Sequence, residues 1–534
     1  MAFGEGDDPL RRSGRSRASG DLGRPRQLLD CRAFTRPSLP QARPPRSDRA
    51  RAETDTSAMN APTSPRRLRQ LLTNPEAPGL ALLVAMASCG GDAAQRSVDP
   101  GETRTVAVVV VESLRRDALG CYGREGALTP RIDALAAEGA RFEQAISASC
   151  WTLPSVGSLL TGTWPAVHKG MGKAPAVFAI SEDVPLAAEV FREAGFGTLG
   201  FANSAYLSPL LGFDRGFDVY DHLHGYNETQ RRAGATVEAA LEAVAERPRQ
   251  DLFLFIHLQD PHLDLDPPEE FITPFVGERR TPTPPLTLSE CRFLAGGDGE
   301  TTPSDEDIAY VRGLYQGEVA AVDAAVGRLV DGLEELGRWE RTEFVLTAGQ
   351  GTEFWTHRAF GHGYTLYDQV IRVPLVVRRP PSAADAPRVL HHVVRTIDVM
   401  PTLFELSGIE TGPTFDGRSL VGDLRGQVPR RLPPAFSQGT IGGAEKISWR
   451  NLEYHLIVTE REAGEVDMEL FDLVVDPAEA MDVDRTRPEA LQPLSVQLMN
   501  FTNELRMRSE AIPPTEIQDL SRETILGTLE SSGG

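Results

Sequence analysis

Cysteine is scarce: five in 534 residues, at Cys31, Cys89, Cys121, Cys150 and Cys291. That number and spacing define no disulfide framework. Basic residues are in deficit, 55 against 76 acidic ones, for a formal net charge of -21. Such a chain has no general affinity for nucleic acid, and no basic patch interleaved with aromatics reverses that expectation. The apolar stretch "PGLALLVAMAS" before Cys89 is too short to span a bilayer as an ordinary transmembrane helix. One further absence is local. The stretch "EFVLTAGQGTEFW" reads as a buried strand running into a turn at Gly349, Gln350 and Gly351, and that turn carries no carboxylate, imidazole or thiol. The carboxyl end of such a strand is where an α/β enzyme gathers its ligands.

What is present is a chain with 25% charged residues and enough apolar content for one or two globular domains. Residues 1–58 are rich in Arg, Pro, Ser and Gly and lack periodic apolar positions, which predicts a disordered extension, one that is not translated if Met59 is the true start. Residues 59–88 then show a basic segment, "SPRRLRQLL", followed by the short apolar run and small residues. With "MASC" at Met86 to Cys89, this resembles a bacterial lipoprotein signal peptide. The resemblance implies lipidation of Cys89, a linker over 89–104, and a location in the cell envelope facing periplasm or exterior. A frayed apolar helix beside a disordered tail is the alternative.

From Thr105 onward strand and helix signals alternate. Val106 to Val111 is almost wholly β-branched, the pattern of a central parallel strand covered on both faces, with Glu112 at its carboxyl end. "TPRIDALAAEGARFEQA" places Pro130 near a helix start and Gly139 as its C-cap. Helix and strand continue in turn through "DLFLFIHLQDPH" and "AYVRGLYQGEVAAVDAAVGRLVDGLEELG". The expected fold class is α/β, a doubly wound, mostly parallel sheet flanked by helices. It divides into 105–380, then 381–510 with a small antiparallel subdomain in "KISWRNLEYHLIVTEREAGEVDMELFDL", and a tail over 511–534.

"ESLRRDALGCYG", "WTLPSVGSLLTG", "LGFDRGFDVYD", "FLFIHLQDPH", "YQGEVAAVDAAVGRL", "GHGYTLYDQVIRVPLVVR", "IDVMPTLFELSG" and "ELFDLVVDPAE" resemble, in order, the landmarks of the sulfatase family within the alkaline phosphatase superfamily. The resemblance covers roughly Thr105 to Pro493. It implies an alkaline-phosphatase-like fold and hydrolysis of sulfate esters at a divalent cation, usually calcium. It further implies a formylglycine made from Cys or Ser as nucleophile, and basic side chains around the sulfuryl oxygens.

Position by position the constellation departs from the family pattern. Glu112 stands where the family's first metal ligand is Asp; the added methylene moves the carboxylate by about 1.5 Å, so it is either a displaced ligand or a strand-end residue without a metal role. At the second ligand position the family's Asp-His or Asp-Asn pair, followed by Gly, is replaced by Gly349, Gln350 and Gly351, which leaves at most a neutral carbonyl oxygen. Glu353 is a substitute ligand or a solvated surface glutamate. Thr152 falls at the nucleophile position, as nucleophile or helix N-cap; Val156 falls at the family's Arg, and Cys150 lies two residues too early. The family's Lys and His in "GKWH" are absent from "GTLGFANSAYLS", where Asn203 offers one hydrogen bond to substrate. His262 and His362 match basic positions that in the family contact the sulfate or help the leaving group depart, with His257 and Asp260 flanking the first and Asp368 following the second.

Two functions follow. The first is a sulfatase-family pseudoenzyme, an envelope protein whose activity is lost or strongly reduced and which binds an anionic ligand through its membrane-tethered fold. The second is an active divergent hydrolase of sulfate, phosphate or phosphonate esters. In it Thr152, His262 and His362 are catalytic, His257 and Asn203 bind substrate, and Glu112 with Gln350 holds the cation, calcium if any.

Overall fold

The computed structural model describes residues 103–173, 176–223, 231–263, 265–276, 303–381, 388–410, 415–441, 444–461 and 464–517. The expectations for the extension, the signal segment, the lipidated Cys89 and most of the linker lie outside the described residues, as do Cys31 and Cys291.

In chain order the strands are β1 (Thr105–Val111), β2 (Ala140–Ile146), β3 (Met171–Lys173), β4 (Ala176–Ala179), β5 (Gly197–Ala202), β6 (Val219–His222), β7 (Leu252–Leu258), β8 (Thr342–Thr347), β9 (Glu353–Phe354), β10 (Phe360–Gly361), β11 (Arg372–Val373), β12 (Leu375–Arg378) and β13 (Arg388–Arg395). They are followed by β14 (Ala435–Gln438), β15 (Glu445–Arg450), β16 (Tyr454–Glu460), β17 (Val466–Asp472) and β18 (Thr515–Ile517). Nine of them form one sheet in the order β11-β2-β12-β8-β1-β7-β5-β6, with β13 pairing β2. From β8 to β6 every pairing is parallel, whereas β12 runs antiparallel to β8 and β2.

The valines of β1 explain its place. Every residue of the strand is buried, so no polar face had to be kept, as in a strand covered on both sides. Helices α1 (Pro130–Glu138), α2 (Thr152–Thr161), α3 (Pro165–His168), α4 (Ala187–Glu193) and α5 (Ala233–Ala245) and a long helix, Asp305–Glu335, flank the sheet. Pro130 opens α1 and Gly139 follows its end, as the sequence predicts. α2 is buried along its whole length and ends at Gly162, whose φ of 63° suits glycine.

A four-stranded antiparallel sheet, β14-β15-β16-β17, packs against the C-terminal helix Pro488–Ser509 around Trp449, Leu456, Leu470, Leu494 and Leu498. The segment expected as a tail from 511 begins with β18, which pairs antiparallel with β4. Its partner strand lies more than 330 residues away in sequence, a pairing that local patterning does not encode.

Candidate active site

Pairing register brings three strand ends to one edge. Val111 lies beside Leu258 and Val110 beside Thr347, so the residues following β1, β7 and β8 leave the sheet together. Glu112 is the first after β1, and its backbone N–H still donates to Leu258 O at 2.9 Å. Its side chain is fully buried, and a carboxylate taken out of water must find donors. Oε2 pairs with His257 Nε2 at 2.8 Å, while Oε1 accepts from Thr152 Oγ1 at 2.8 Å and from Gln350 Nε2. Burial alone would raise its pKa. The His257 hydrogen bond, with the charges of His257, His362 and His262, overcomes that and lowers it to about 2.

The bare turn after β8 has a steric cause. A Cβ on Gly349 would sit 2.9 Å from Ser155 Oγ and 3.3 Å from Val156 Cγ2, and one on Gly351 would sit 2.2 Å from Gln369 O. The turn packs closely against α2, and an acid at Gly349 would have to displace Ser155 Oγ. Gln350, fully buried, accepts from Ser155 Oγ at 3.1 Å through Oε1, which leaves its amide N–H to face Glu112. It therefore gives Glu112 a donor instead of offering a cation an oxygen.

Thr152 is the first residue of α2, and Trp151 holds the cap position without a side-chain bond. The capping alternative for Thr152 is thus corrected: its hydroxyl turns to Glu112 and not to the helix N–H groups. Cys150 is buried, its Sγ donates to Gly439 O at 3.1 Å, and burial pushes the thiol up to about 12. Val156 is fully buried.

His262 and His362 approach from the open side, with ring centroids 5.1 Å apart at 69°. His262 Nδ1 bonds Leu263 O at 2.6 Å, and His362 Nδ1 bonds Ser113 Oγ at 3.2 Å. His362 Nε2 stands 3.8 Å from Glu112 Oε1. Burial pushes the His362 imidazole down to about 4, with His262 adding to the shift and Glu112 opposing it. Ligand-type atoms of Glu112, His262 and His362 all lie within 4.8 Å of one another.

Other expected positions are placed elsewhere. His257 is fully buried beneath Glu112, so it supports that carboxylate and does not reach substrate. Asn203, 3% exposed, donates to Thr236 Oγ1 and His257 O, each at 2.8 Å, and accepts from Arg231 Nε at 2.9 Å. Both of its amide hydrogens are thus taken inside the fold, away from a substrate. Asp260 turns away to accept from Ala233 N at 2.6 Å, at the start of α5. Asp368 accepts from Arg450 Nε and Nη2 at 2.7 and 2.8 Å. Glu353 is neither solvated nor at the site; it is fully buried in β9 and pairs with His357 Nδ1 at 2.8 Å.

Three participants were not named from the sequence. Ser113, at a φ of 56°, holds His362, and Ser155 holds Gln350. Tyr315, from the long helix, donates to Ser113 O at 2.9 Å and accepts from Arg115 N at 2.8 Å, which locks the turn that follows Glu112. Only Ser155 had a cue, lying three residues after Thr152 and so on the same helix face.

The sulfatase family model matches residues 104–409, more than half of the chain. The chain is 24% identical over 384 residues to an arylsulfatase of Clostridium perfringens, covering 59% of this chain and 77% of that protein. It is 22% identical over 462 residues to arylsulfatase K of Xenopus laevis, covering 76% and 84%. Among solved structures, the phosphonate monoester hydrolase of Agrobacterium radiobacter superposes with a TM-score of 0.64 at 19% identity, over 75% of this chain and 96% of that one. The fold is therefore alkaline-phosphatase-like, and members of the matched family use a divalent metal. By the extent of that match, the chain belongs to the sulfatase family.

Proposed function

We propose that the protein is a divergent hydrolase of sulfate, phosphate or phosphonate esters with Thr152 as nucleophile. The observation that carries this reading is convergence: the Thr152 hydroxyl donates to the ionised Glu112 at 2.8 Å, and His262 and His362 border the same carboxylate from the open side. The Glu112 carboxylate orients Thr152 Oγ1 and accepts its proton along the existing hydrogen bond as the bond to sulfur or phosphorus forms. The ester oxygen departs with a proton from solvent on the open side, and water then cleaves the Thr152 ester. His257 and Gln350 keep Glu112 in place throughout.

Calcium, the cation that the resemblance implies, asks for six to eight oxygen ligands. Here both Glu112 oxygens already accept hydrogen bonds and Gln350 presents N–H, so the donor set does not suit it, and no step above uses it.

The test is turnover of aryl sulfates, phosphate diesters and phosphonate monoesters by the purified protein. At least one class should be hydrolysed, with a loss of about 10³-fold or more in Thr152→Ala. If the wild type turns over none of them, the second reading stands: a pseudoenzyme that binds an anionic ligand without cleaving it. The replacement of the family's Arg by the buried Val156 favours that reading.

We also propose that the chain is tethered to the cell envelope by lipid on Cys89. The basic segment, short apolar run and "MASC" support it. Metabolic labelling with a radioactive fatty acid should mark the wild type and not Cys89→Ser; equal labelling of both would remove the idea.

A further inference from the structure

The segment that carries His262 is pinned on both sides of the imidazole. His262 N donates to Gln259 O at 2.9 Å, which closes a turn with Asp260 inside it. Asp260 Oδ2 accepts from Ala233 N at 2.6 Å and Oδ1 from Arg232 Nη1 at 3.3 Å. On the other side Asp266 N donates to Glu318 Oε1 at 2.8 Å, and Asp266 O accepts from Arg232 Nη2 at 2.6 Å. Glu318 comes from the long helix, so one carboxyl of that helix meets the His262 segment at both ends.

Two of these acids are out of water. The Asp260 side chain is 5% exposed and that of Glu318 1%, while the cation they share, Arg232, is 43% exposed and also serves Asp266. Asp260 stands close enough to Glu318 to hydrogen-bond to it. Two carboxylates cannot do so, because neither owns a donor. Glu318 Oε2, moreover, has no hydrogen-bond partner among the described residues. A buried carboxylate oxygen without a donor is costly. A proton on that oxygen cancels one charge and supplies the donor that Asp260 accepts. Burial and the neighbouring Asp260 accordingly push the Glu318 carboxyl up to about 8, against the opposing pull of Arg232.

We infer that Glu318 and Asp260 are a carboxyl–carboxylate pair sharing one proton, and that this proton positions His262 by tying its turn to the long helix. The charged groups that face Glu318 are Arg232 from the segment before α5, Asp260 from the turn after β7 and Asp266 from the segment that follows it. When the proton leaves, two adjacent negative charges meet one half-exposed guanidinium, and their repulsion acts on the turn that bears His262. Glu318 is a positioning residue: its bonds run to Asp266 and Arg232, and not to Glu112 or Thr152. The inference goes beyond the hydrolase reading, since the pair places His262 whether the site cleaves an ester or only binds an anion.

The experiment uses the intact protein and the variant Glu318→Gln, whose amide nitrogen can donate to Asp260 at every pH and so copies the protonated form. Infrared difference spectra between about pH 6 and about pH 9 should show the wild type losing the carbonyl band of one un-ionised carboxyl, with a midpoint near 8. Glu318→Gln should lack that loss. With carbon-13 histidine in the chain, the His262 resonance is the one missing from His262→Ala. In the wild type it should move with the infrared band, above the ordinary imidazole range, and in Glu318→Gln that step should be absent. No such band in the wild type overturns the inference, and this reading needs no variant to fold. A band that survives in Glu318→Gln, or a His262 resonance that moves alike in both proteins, overturns it as well. Turnover is not a readout, so failure of the hydrolase reading leaves this test intact.

Discussion

Among the described residues, two groups of three His, Asp or Glu side chains bring ligand-type atoms within 4.8 Å of one another: Glu112–His262–His362, of which only Glu112 is buried, and Asp368–His455–Glu479, buried throughout. They differ in how their charge is met. Asp368 is clamped in two bonds by Arg450, itself 2% exposed, with Arg372 at 3.4 Å. Burial alone would raise the Asp368 pKa, and the two arginines with His455 hold it well below the usual carboxylate range. Glu479 accepts from Asp368 N at 2.7 Å and pairs with His455 Nδ1 through its other oxygen. Permanent cations thus close that cluster. Glu112 is met by a hydroxyl, an amide and an imidazole, and it keeps two more imidazoles on its open side. An arginine neutralises in place, whereas neutral donors leave a carboxylate with charge to share. The Asp368 cluster ties the C-terminal sheet to the segment after β10, and the Glu112 cluster is the one that keeps groups for chemistry.

The largest effect should come from breaking the closed cluster. Arg450→Met leaves Asp368 buried without its main partner and is expected to cost about 3–5 kcal/mol, read by denaturant unfolding. A loss below about 1 kcal/mol would mean that Arg372 and water suffice, and the contrast between the clusters would collapse.

Restoring the family's acid in the turn is a smaller perturbation. Gly349→Asp must push Ser155 Oγ away from 2.9 Å and is expected to destabilise by about 2 kcal/mol. Ser155→Ala in the same chain removes the nearest atom, leaving Ser155 Cβ at 3.9 Å, and should recover part of that loss. Equal melting temperatures for wild type and Gly349→Asp would show that the turn is not confined as the geometry requires.

Much of this was legible in the sequence where one element carries its own pattern. The β-branched run of β1, the Pro130 and Gly139 limits of α1 and the antiparallel strands near the C-terminus all depend on local periodicity and punctuation. Glu112 and His262, named from motif positions, lie together because parallel strand ends share one edge, and Thr152 from α2 and His362 from the segment after β10 reach the same carboxylate. What sequence did not yield depends on contacts distant along the chain. Asn203 and His257 are turned inward by partners on α5 and β1. Glu353 looked like a surface glutamate until the β9–β10 pairing buried it. Tyr315 is one apolar-face residue of a 31-residue helix, and nothing in its spacing says that its hydroxyl reaches the turn after β1.

Between the two clusters in kind stands a third carboxylate, Glu318, and it supplies the smallest and most graded test. Its side chain is 1% exposed and 3.2 Å from Arg232 Nη1, but Arg232 is 43% exposed and also reaches Asp260 and Asp266. One half-exposed arginine divided among three acids cannot do what Arg450 does for Asp368. Burial and the neighbouring Asp260 accordingly push Glu318 up to about 8, with Arg232 offsetting only part. A carboxyl whose folded pKa lies above its unfolded value of 4.5 binds its proton more tightly when folded. Its contribution is therefore greatest below pH 4.5 and is lost as pH rises from there through about 8. Glu318→Gln removes that loss while its amide oxygen still accepts from Asp266 N. The variant should match wild type near pH 4.5 and exceed it by about 1 kcal/mol at pH 9. Melting curves across that range that stay parallel would place Glu318 with the arginine-closed carboxylates instead.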